Sequence, residues 1–250
     1  MKPAKKQRAD QLLVERGLCE TRSRAAALIM AGQVLAQDKP VAKAGELLPA
    51  DSALRLRGKD HPWVSRGGLK LAGGLTHFQI DPTGLTCLDI GASTGGFTDV
   101  LLQGGAARVY AVDVGQGQLA WSLRQDSRVV VMERCNARYL DRESIPDPIQ
   151  LLVCDTSFIS LTLVLPAGMA LTAPGARLIA LIKPQFEVGK GAVGKGGIVR
   201  DPAQHQAVCE KIQAFLEAQA GWQVLGITES PITGPDGNRE FLVAAERQSA

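Results

Sequence analysis

The sequence has five cysteines and three histidines, and neither set is spaced to hold a metal. Cys19, Cys87, Cys135, Cys154 and Cys209 contain no Cys-x-x-Cys pair, and His61, His77 and His205 stand far apart. That spacing argues against a zinc site. There is also little net charge, +3 in total, so the sum says little about partners. A signal peptide is not expected, because the stretch from Met1 to Asp10 is polar and basic where such a peptide would be apolar. A cytoplasmic protein with reduced thiols is the expectation. From Thr156 to Ala176 no residue is charged, yet Pro166, Pro174, two glycines and five Ser/Thr interrupt the run. A membrane span would need about 20 predominantly apolar residues. This stretch therefore reads as loop, short helix and turn within a globular core.

What is present is unevenly distributed. Residues 1–70 hold 14 Lys/Arg against 7 Asp/Glu, and residues 71–250 hold 14 against 18. A basic front on a mildly acidic body suggests nucleic-acid contact at one end. The front part, residues 7–58, reads as a small α+β module. Ala9–Arg16 carries Leu12 and Leu13 on one helical face, with Gly17 to stop it. Thr21 or Ser23 can cap a second helix, Arg24–Ala31, ended by Gly32. Short strands follow at Gln33–Ala36 and Ala53–Arg57, with Asp38-Lys39-Pro40 as turn chemistry. The polar segment from Gly58 to Pro62 reads as a boundary.

Beyond it, apolar runs alternate with helical stretches. The runs are Thr86–Ile90, Arg108–Val112, Val129–Met132, Gln150–Cys154, Arg177–Ile182, Val224–Thr228 and Phe241–Ala245. Most are apolar at successive positions, as strands buried on both faces are, and Cys87 and Cys154 fall inside them as buried thiols. Helices are predicted at Gly96–Gln103, Gln118–Gln125, Leu161–Leu171 and Pro202–Ala220. This alternation implies a doubly wound α/β sheet. No helix separates the last two strands, so one edge should be antiparallel.

The strongest local signal is Leu88-Asp89-Ile90-Gly91-Ala92-Ser93-Thr94-Gly95-Gly96-Phe97. A buried strand ends in a Gly-rich turn that opens a helix, where backbone can approach a ligand and N–H groups are unpaired. Its G-x-x-x-G-G spacing fits the dinucleotide pattern G-x-G-x-x-G poorly. Asp113 ends the next strand, 22 residues after Gly91, where an acid can hold the hydroxyls of a ribose. Asp155 and Lys183 end the fourth and fifth runs, at the ligand side of such a sheet. Lys183 either pairs with Asp155 for stability or works chemically, since a partly desolvated amine beside another cation can accept a proton. Lys70 and Glu240, taken alone, read as ordinary solvated charges. Pro184 to Gly197 is rich in glycine and lysine and reads as a non-rigid loop. It could close over a substrate or merely connect.

Four segments together carry a resemblance. They are Ser65-Arg66-Gly67-Gly68-Leu69-Lys70-Leu71, the Asp89 to Asp99 segment, Cys154-Asp155-Thr156-Ser157-Phe158-Ile159-Ser160, and Lys183-Pro184-Gln185-Phe186-Glu187. They resemble the TlyA family, also called haemolysin A proteins. Arg8-Ala9-Asp10 through Gly17 to Thr21-Arg22-Ser23-Arg24-Ala25 and Gly32-Gln33-Val34 resembles an S4 RNA-binding domain. The resemblance implies an S4 domain over 1–60, a linker over 61–64 and an FtsJ/RrmJ-like methyltransferase domain over 65–247. The implied fold is α/β, a Rossmann-like class I methyltransferase sheet behind a small α+β domain. The implied reaction moves a methyl group from S-adenosylmethionine to the ribose 2′-hydroxyl of a cytidine in 23S and/or 16S ribosomal RNA.

The family's catalytic tetrad falls on Lys70, Asp155, Lys183 and Glu240. Cofactor contacts fall on Gly91, Ser93, Thr94, Gly95, Gly96, Phe97, Asp113, Asn136 and Asp155. Phosphate contacts are expected from Arg8, Arg22, Arg24, Lys39, Arg55 and Arg66. No metal is implied, because a sulfonium is already a good leaving group. The partner expected is ribosomal RNA within a subunit, met by a monomer away from any membrane. The linker departs from its relatives, reading His61-Pro62-Trp63-Val64 where a basic residue often precedes the aromatic. Two other readings compete: a non-catalytic assembly factor that binds rRNA, and a haemolysin-type membrane-active protein. A base N-methyltransferase would carry an Asn/Asp-Pro-Pro-aromatic motif where Asp155-Thr156-Ser157-Phe158 stands.

Overall fold

The computed structural model describes residues 6–19, 21–56, 61–189, 193–194, 196–234 and 237–249. Gly58–Asp60 of the predicted boundary and part of the Pro184–Gly197 loop fall outside them. The chain forms two compact units, Met1–Pro62 and Trp63–Ala250.

The first unit begins with β1 (Lys6–Arg8) and α1 (Ala9–Glu15). It continues through α2 (Arg22–Met30), β2 (Val34–Ala36), β3 (Lys39–Pro40), β4 (Leu47–Pro49) and β5 (Leu54–Leu56). Thr21 caps α2, its hydroxyl accepting from Arg24 N at 3.2 Å, which satisfies one orphan donor of the first turn. β2 pairs antiparallel with β3 and β5, while β1 pairs with β4. Leu12, Leu13, Ala25, Ile29 and Val34 make the small core.

The second unit opens on α3 (Gly67–His77), a helix the apolar pattern does not announce. Next come β6 (Thr86–Ile90), α4 (Gly96–Gln103), β7 (Arg108–Val112), α5 (Trp121–Arg124) and β8 (Val129–Met132). They are followed by β9 (Ile149–Cys154), α6 (Leu161–Ala170), β10 (Thr172–Ile182) and α7 (Pro184–Glu187). The unit closes with α8 (Pro202–Glu217), β11 (Trp222–Glu229) and β12 (Phe241–Arg247). α5 is shorter than the predicted Gln118–Gln125. α7 corrects the expectation of a loop directly after Lys183: Pro184 pre-sets the first helical position, and Glu187 anchors the turn.

The sheet order is β11-β12-β10-β9-β6-β7-β8. Strands β6 to β10 run parallel, and β12 pairs antiparallel with β10 and β11, giving the expected antiparallel edge. Alternate residues of each strand feed opposite faces. Leu178, Ala180 and Ile182 of β10 pack with α6 and α8, whereas Ile179 and Leu181 pack with α3 and α4. The result is three layers, helix over sheet over helix. The order reverses between β6 and β9, so the ends of β6, β7, β9 and β10 border one crevice, the ligand side of such sheets. No helix among the described residues is long and apolar enough to cross a membrane.

Candidate active site

The Gly-rich turn leaves β6 with Gly91 at φ +86° and Gly95 at φ +97°. Both lie in the left-handed region that favours glycine. A Cβ on Gly91 would stand 2.5 Å from the Asp155 carbonyl oxygen, and one on Gly95 would collide with Leu123. The turn therefore keeps its backbone bare against β9 on one side and α5 on the other. Asp113 fixes it from β7, accepting from Ser93 N at 2.8 Å and from Gly115 N at 2.7 Å. Each carboxylate oxygen keeps a further lone pair for a hydroxyl.

Two cavities flank this turn. One, of about 450 Å³, is lined by Asp113, Val114, Gln118, Asn136, Phe158 and Ile159 among others. It combines apolar walls with a few polar groups, as small-molecule sites do, and the bare turn gives it a cradle a side chain would fill. Asn136 accepts from Arg138 N at 3.1 Å, capping the single turn Ala137–Tyr139. The other cavity, about 280 Å³, is lined by Arg66, Lys70, Thr94, Phe97, Lys183 and Thr233 among others. Gly91, Ser93, Asp155 and Ser157 border both.

Four charged side chains converge at the second cavity. Lys70, one turn into α3, pairs with Glu240 just ahead of β12 at 2.5 Å. Lys183, at the end of β10, pairs with Asp155, at the end of β9, at 2.6 Å. The Lys183 amine also donates to Ser157 Oγ at 2.9 Å. The Lys183–Asp155 contact is an ion pair rather than an aligned hydrogen bond, since Asp155 Oδ1 has no well-angled donor. Lys70, Lys183 and Glu240 are all at most 9% exposed. Charges so buried require partners, and here the partners are one another. Glu187 holds the segment after Lys183, accepting from Ser160 Oγ and Leu161 N, each at 2.7 Å, and from Lys211 at 2.9 Å.

Beneath the turn lies Asp89, fully buried. Thr98 donates to its Oδ2 at 2.6 Å, and its Oδ1 has no partner among the described residues. Burial, reinforced by the nearby Asp155 and Asp113, pushes its carboxyl up to about 7. Burial likewise pushes the Cys87 and Cys154 thiols up to about 12, which keeps them as inert apolar fillers.

Every proposed catalytic and cofactor residue thus lies in this unit at one end of the sheet. Phe97 also serves the core, being 3% exposed. Arg66 is exposed and borders the 280 Å³ cavity, while the other five predicted phosphate contacts belong to the first unit. There, Arg8 and Arg22 share Asp10 at 2.9 and 3.0 Å, and Arg55 pairs with Asp38 at 2.7 Å. Arg24 and Lys39 are exposed and have no carboxylate partner among the described residues. The sequence reading passed over Ser157, Ser65, Gln118 and Thr233 as site residues. Ser157 had the best available signal, a hydroxyl two positions after Asp155. No cluster of three or more His, Cys, Asp or Glu that could hold a metal exists among the described residues.

The geometry agrees with what comparison finds. The S4 domain family model matches residues 7–52, and that of the FtsJ-like methyltransferases matches residues 63–247. The chain is 48% identical to the 16S/23S rRNA (cytidine-2′-O)-methyltransferase TlyA of Mycobacterium tuberculosis, over 98% of this chain and 92% of that one. It is 39% identical to Hemolysin A of Brachyspira hyodysenteriae, over 94% of this chain and 98% of that one. A solved structure titled as a hemolysin from Streptococcus thermophilus shares 44% identity and superposes with a TM-score of 0.76, over 98% of this chain and 90% of that one. With its second unit matched throughout and its relatives spanning nearly its whole length, the chain belongs to the FtsJ-like methyltransferase family and carries an S4 domain ahead of it.

Proposed function

We propose that this protein transfers a methyl group from S-adenosylmethionine to the ribose 2′-hydroxyl of a cytidine in ribosomal RNA, within a ribosomal subunit. The observation that carries the reading is the convergence of Lys70, Asp155, Lys183 and Glu240 beside a glycine-cradled cavity. The cavity holding Asp113 and Asn136 suits the adenosine end of the methyl donor, with Asp113 on the ribose hydroxyls. Gly91, Ser93, Thr94, Gly95, Gly96 and Phe97 would shape the seat of the remainder. When bound, S-adenosylmethionine supplies an electrophilic methyl group on a sulfur that departs as a neutral thioether.

The chain's own residues supply the rest. A ribose hydroxyl is a poor nucleophile at neutral pH, so its proton must be removed or shared during attack. Lys183 would take or orient that proton. Lys70 adds positive charge where negative charge develops on the oxygen. Asp155 and Glu240 hold the two amines in place. The first unit docks the RNA, with Arg24 and Lys39 as its freest phosphate contacts and Arg8, Arg22 and Arg55 beside them. Arg66 sits at the cleft itself. We read the protein as a cytoplasmic monomer.

The test incubates the purified protein with tritiated S-adenosylmethionine and separated 30S and 50S subunits, and maps the label by primer extension at low dNTP. Label on a ribose, lost in Lys183→Ala, is the expected result and identifies the subunit. Cofactor binding without label on either subunit or on free rRNA would leave the assembly-factor reading standing instead.

A further inference from the structure

We propose that the Ser157 hydroxyl carries the acceptor's proton to Lys183. This inference rests on the methyl-transfer reading above. Ser157 occupies the seam of the site, because it borders both cavities while Lys183 borders only one. Lys183 is set back in the wall at 9% exposed, whereas Ser157 is exposed. The serine oxygen lies 2.9 Å from the lysine nitrogen, and among the described residues its own O–H donates to nothing. The other seam residues are less suited. Asp155 is already ion-paired with Lys183, Ser93 Oγ engages Gln118 at 3.3 Å, and Gly91 has no side chain.

The surrounding backbone holds Ser157 in place. Asp155 N donates to Ile90 O at 3.0 Å, fixing the loop at the end of β9. Phe158 takes φ +65°, a strained turn for a bulky residue directly after the serine. Glu187 then clamps Ser160 and Leu161 to the segment that follows Lys183. The Asp155–Lys183 ion pair on one side and the Glu187 clamp on the other tie the loop bearing Ser157 to the segment bearing Lys183. Such pre-organisation is what proton transfer between fixed partners requires.

The step balances as follows. The acceptor oxygen bonds to the methyl carbon as the carbon–sulfur bond breaks, its electron pair staying on sulfur. The Lys183 ammonium, which donates to Ser157 in the resting site, first releases a proton to solvent. The acceptor's proton then passes to Ser157 Oγ, and the Ser157 proton passes to the Lys183 amine so formed. Lys183 is thereby returned to its ammonium form, and the serine is unchanged.

The experiment uses the full chain and its Ser157→Ala and Ser157→Thr variants in single-turnover methyl transfer to ribosomal subunits. Calorimetry of S-adenosylhomocysteine binding to each free protein runs alongside. Ser157→Ala should slow transfer roughly 10²-fold, the range for a lost proton-transfer group, with the binding constant unchanged. Ser157→Thr, which keeps the hydroxyl, should recover most of the rate. In H₂O/D₂O mixtures the wild-type rate should curve with deuterium fraction, and that of Ser157→Ala should be linear. Transfer by Ser157→Ala within about threefold of wild type overturns the relay. A defect that Ser157→Thr fails to recover, with weakened S-adenosylhomocysteine binding, overturns it in favour of a purely architectural serine. Absence of transfer by the wild type would sink the methyl-transfer reading and this inference with it.

Discussion

Lys70 and Glu240, 170 positions apart in the chain, meet at 2.5 Å with both side chains buried. The pair joins α3 to the start of β12, so it closes the site and braces the unit at once. Removing one partner leaves an uncompensated buried charge, which costs about 3–5 kcal/mol. Lys70→Ala and Glu240→Ala should each lower the melting temperature of the second unit by roughly 6–20 °C, taking about 2–4 °C per kcal/mol at this size. The double variant Lys70→Met/Glu240→Leu should regain most of that stability and none of the methyl transfer. Thermal unfolding of the three variants checks this. Wild-type stability in either single variant would show that the pair is better hydrated than its burial implies.

Gly95 offers a second test. It stands at φ +97°, and a methyl group there would collide with Leu123 of α5. Gly95→Ala would have to shift the turn away from α5 or distort it. Calorimetry with S-adenosylhomocysteine should then show affinity at least about tenfold weaker, a loss of 1.4 kcal/mol or more. Gly84→Ala, also at positive φ (+73°) but with open space around its Cβ, is the control for backbone strain alone. Equal affinity in the two variants would refute a role for close approach at Gly95.

Much of the sheet was legible because its strands are buried on both faces and so read as apolar runs. Thr86–Ile90, Arg108–Val112 and Val129–Met132 form strands at the predicted bounds. The helix α3 was not legible, and the reason is physical. Four of its 11 residues are glycine, each costing about 1 kcal/mol of helix propensity relative to alanine. Packing explains two of them. A Cβ on Gly68 would stand 2.7 Å from Trp63, and one on Gly73 would stand 2.9 Å from Pro231. Tertiary contact overrides propensity there, and with the helix unseen, Lys70 read as a solvated charge. In the first unit β1, β3 and β4 are only two or three residues long, too short to show a period of two. Asp155 and Lys183 were readable because each closes an apolar run with a charge.

Asp89 makes stability depend on pH in an unusual direction. Its carboxyl is pushed up to about 7 in the folded protein, against about 3.9 for an unperturbed aspartate in the unfolded chain. Below about 4 both states hold the proton, and the contribution is fully present. As pH rises towards 7 the unfolded chain has released its proton and the folded one has not, so stability is lost. Above 7 both are ionised and the loss levels off. Asp89→Asn removes this titration while keeping an acceptor for Thr98. The urea midpoint of the wild type should therefore fall between pH 5 and pH 8 by more than that of Asp89→Asn. Parallel curves for the two proteins would mean that Asp89 stays ionised throughout.

RNA docking should depend on which arginines of the first unit are already neutralised. The hydrogen bond from Arg8, joined by Arg22, pulls the Asp10 carboxyl down to about 2, so it stays charged at any working pH. Two guanidinium groups thus share one carboxylate, and Arg55 is matched by Asp38. Arg24 has no such partner among the described residues, so its charge is fully available to a phosphate. Each phosphate neutralised adds about 0.7–0.9 to the slope of log affinity against log salt. Arg24→Ala should lower that slope by about 1 and weaken binding to all rRNA fragments alike. Arg55→Ala should change it less, because the substitution also frees Asp38, which then repels the backbone. Filter binding to an rRNA fragment between 50 and about 200 mM salt separates the two variants. Equal slopes for wild type and Arg24→Ala would place the RNA on another face of the unit.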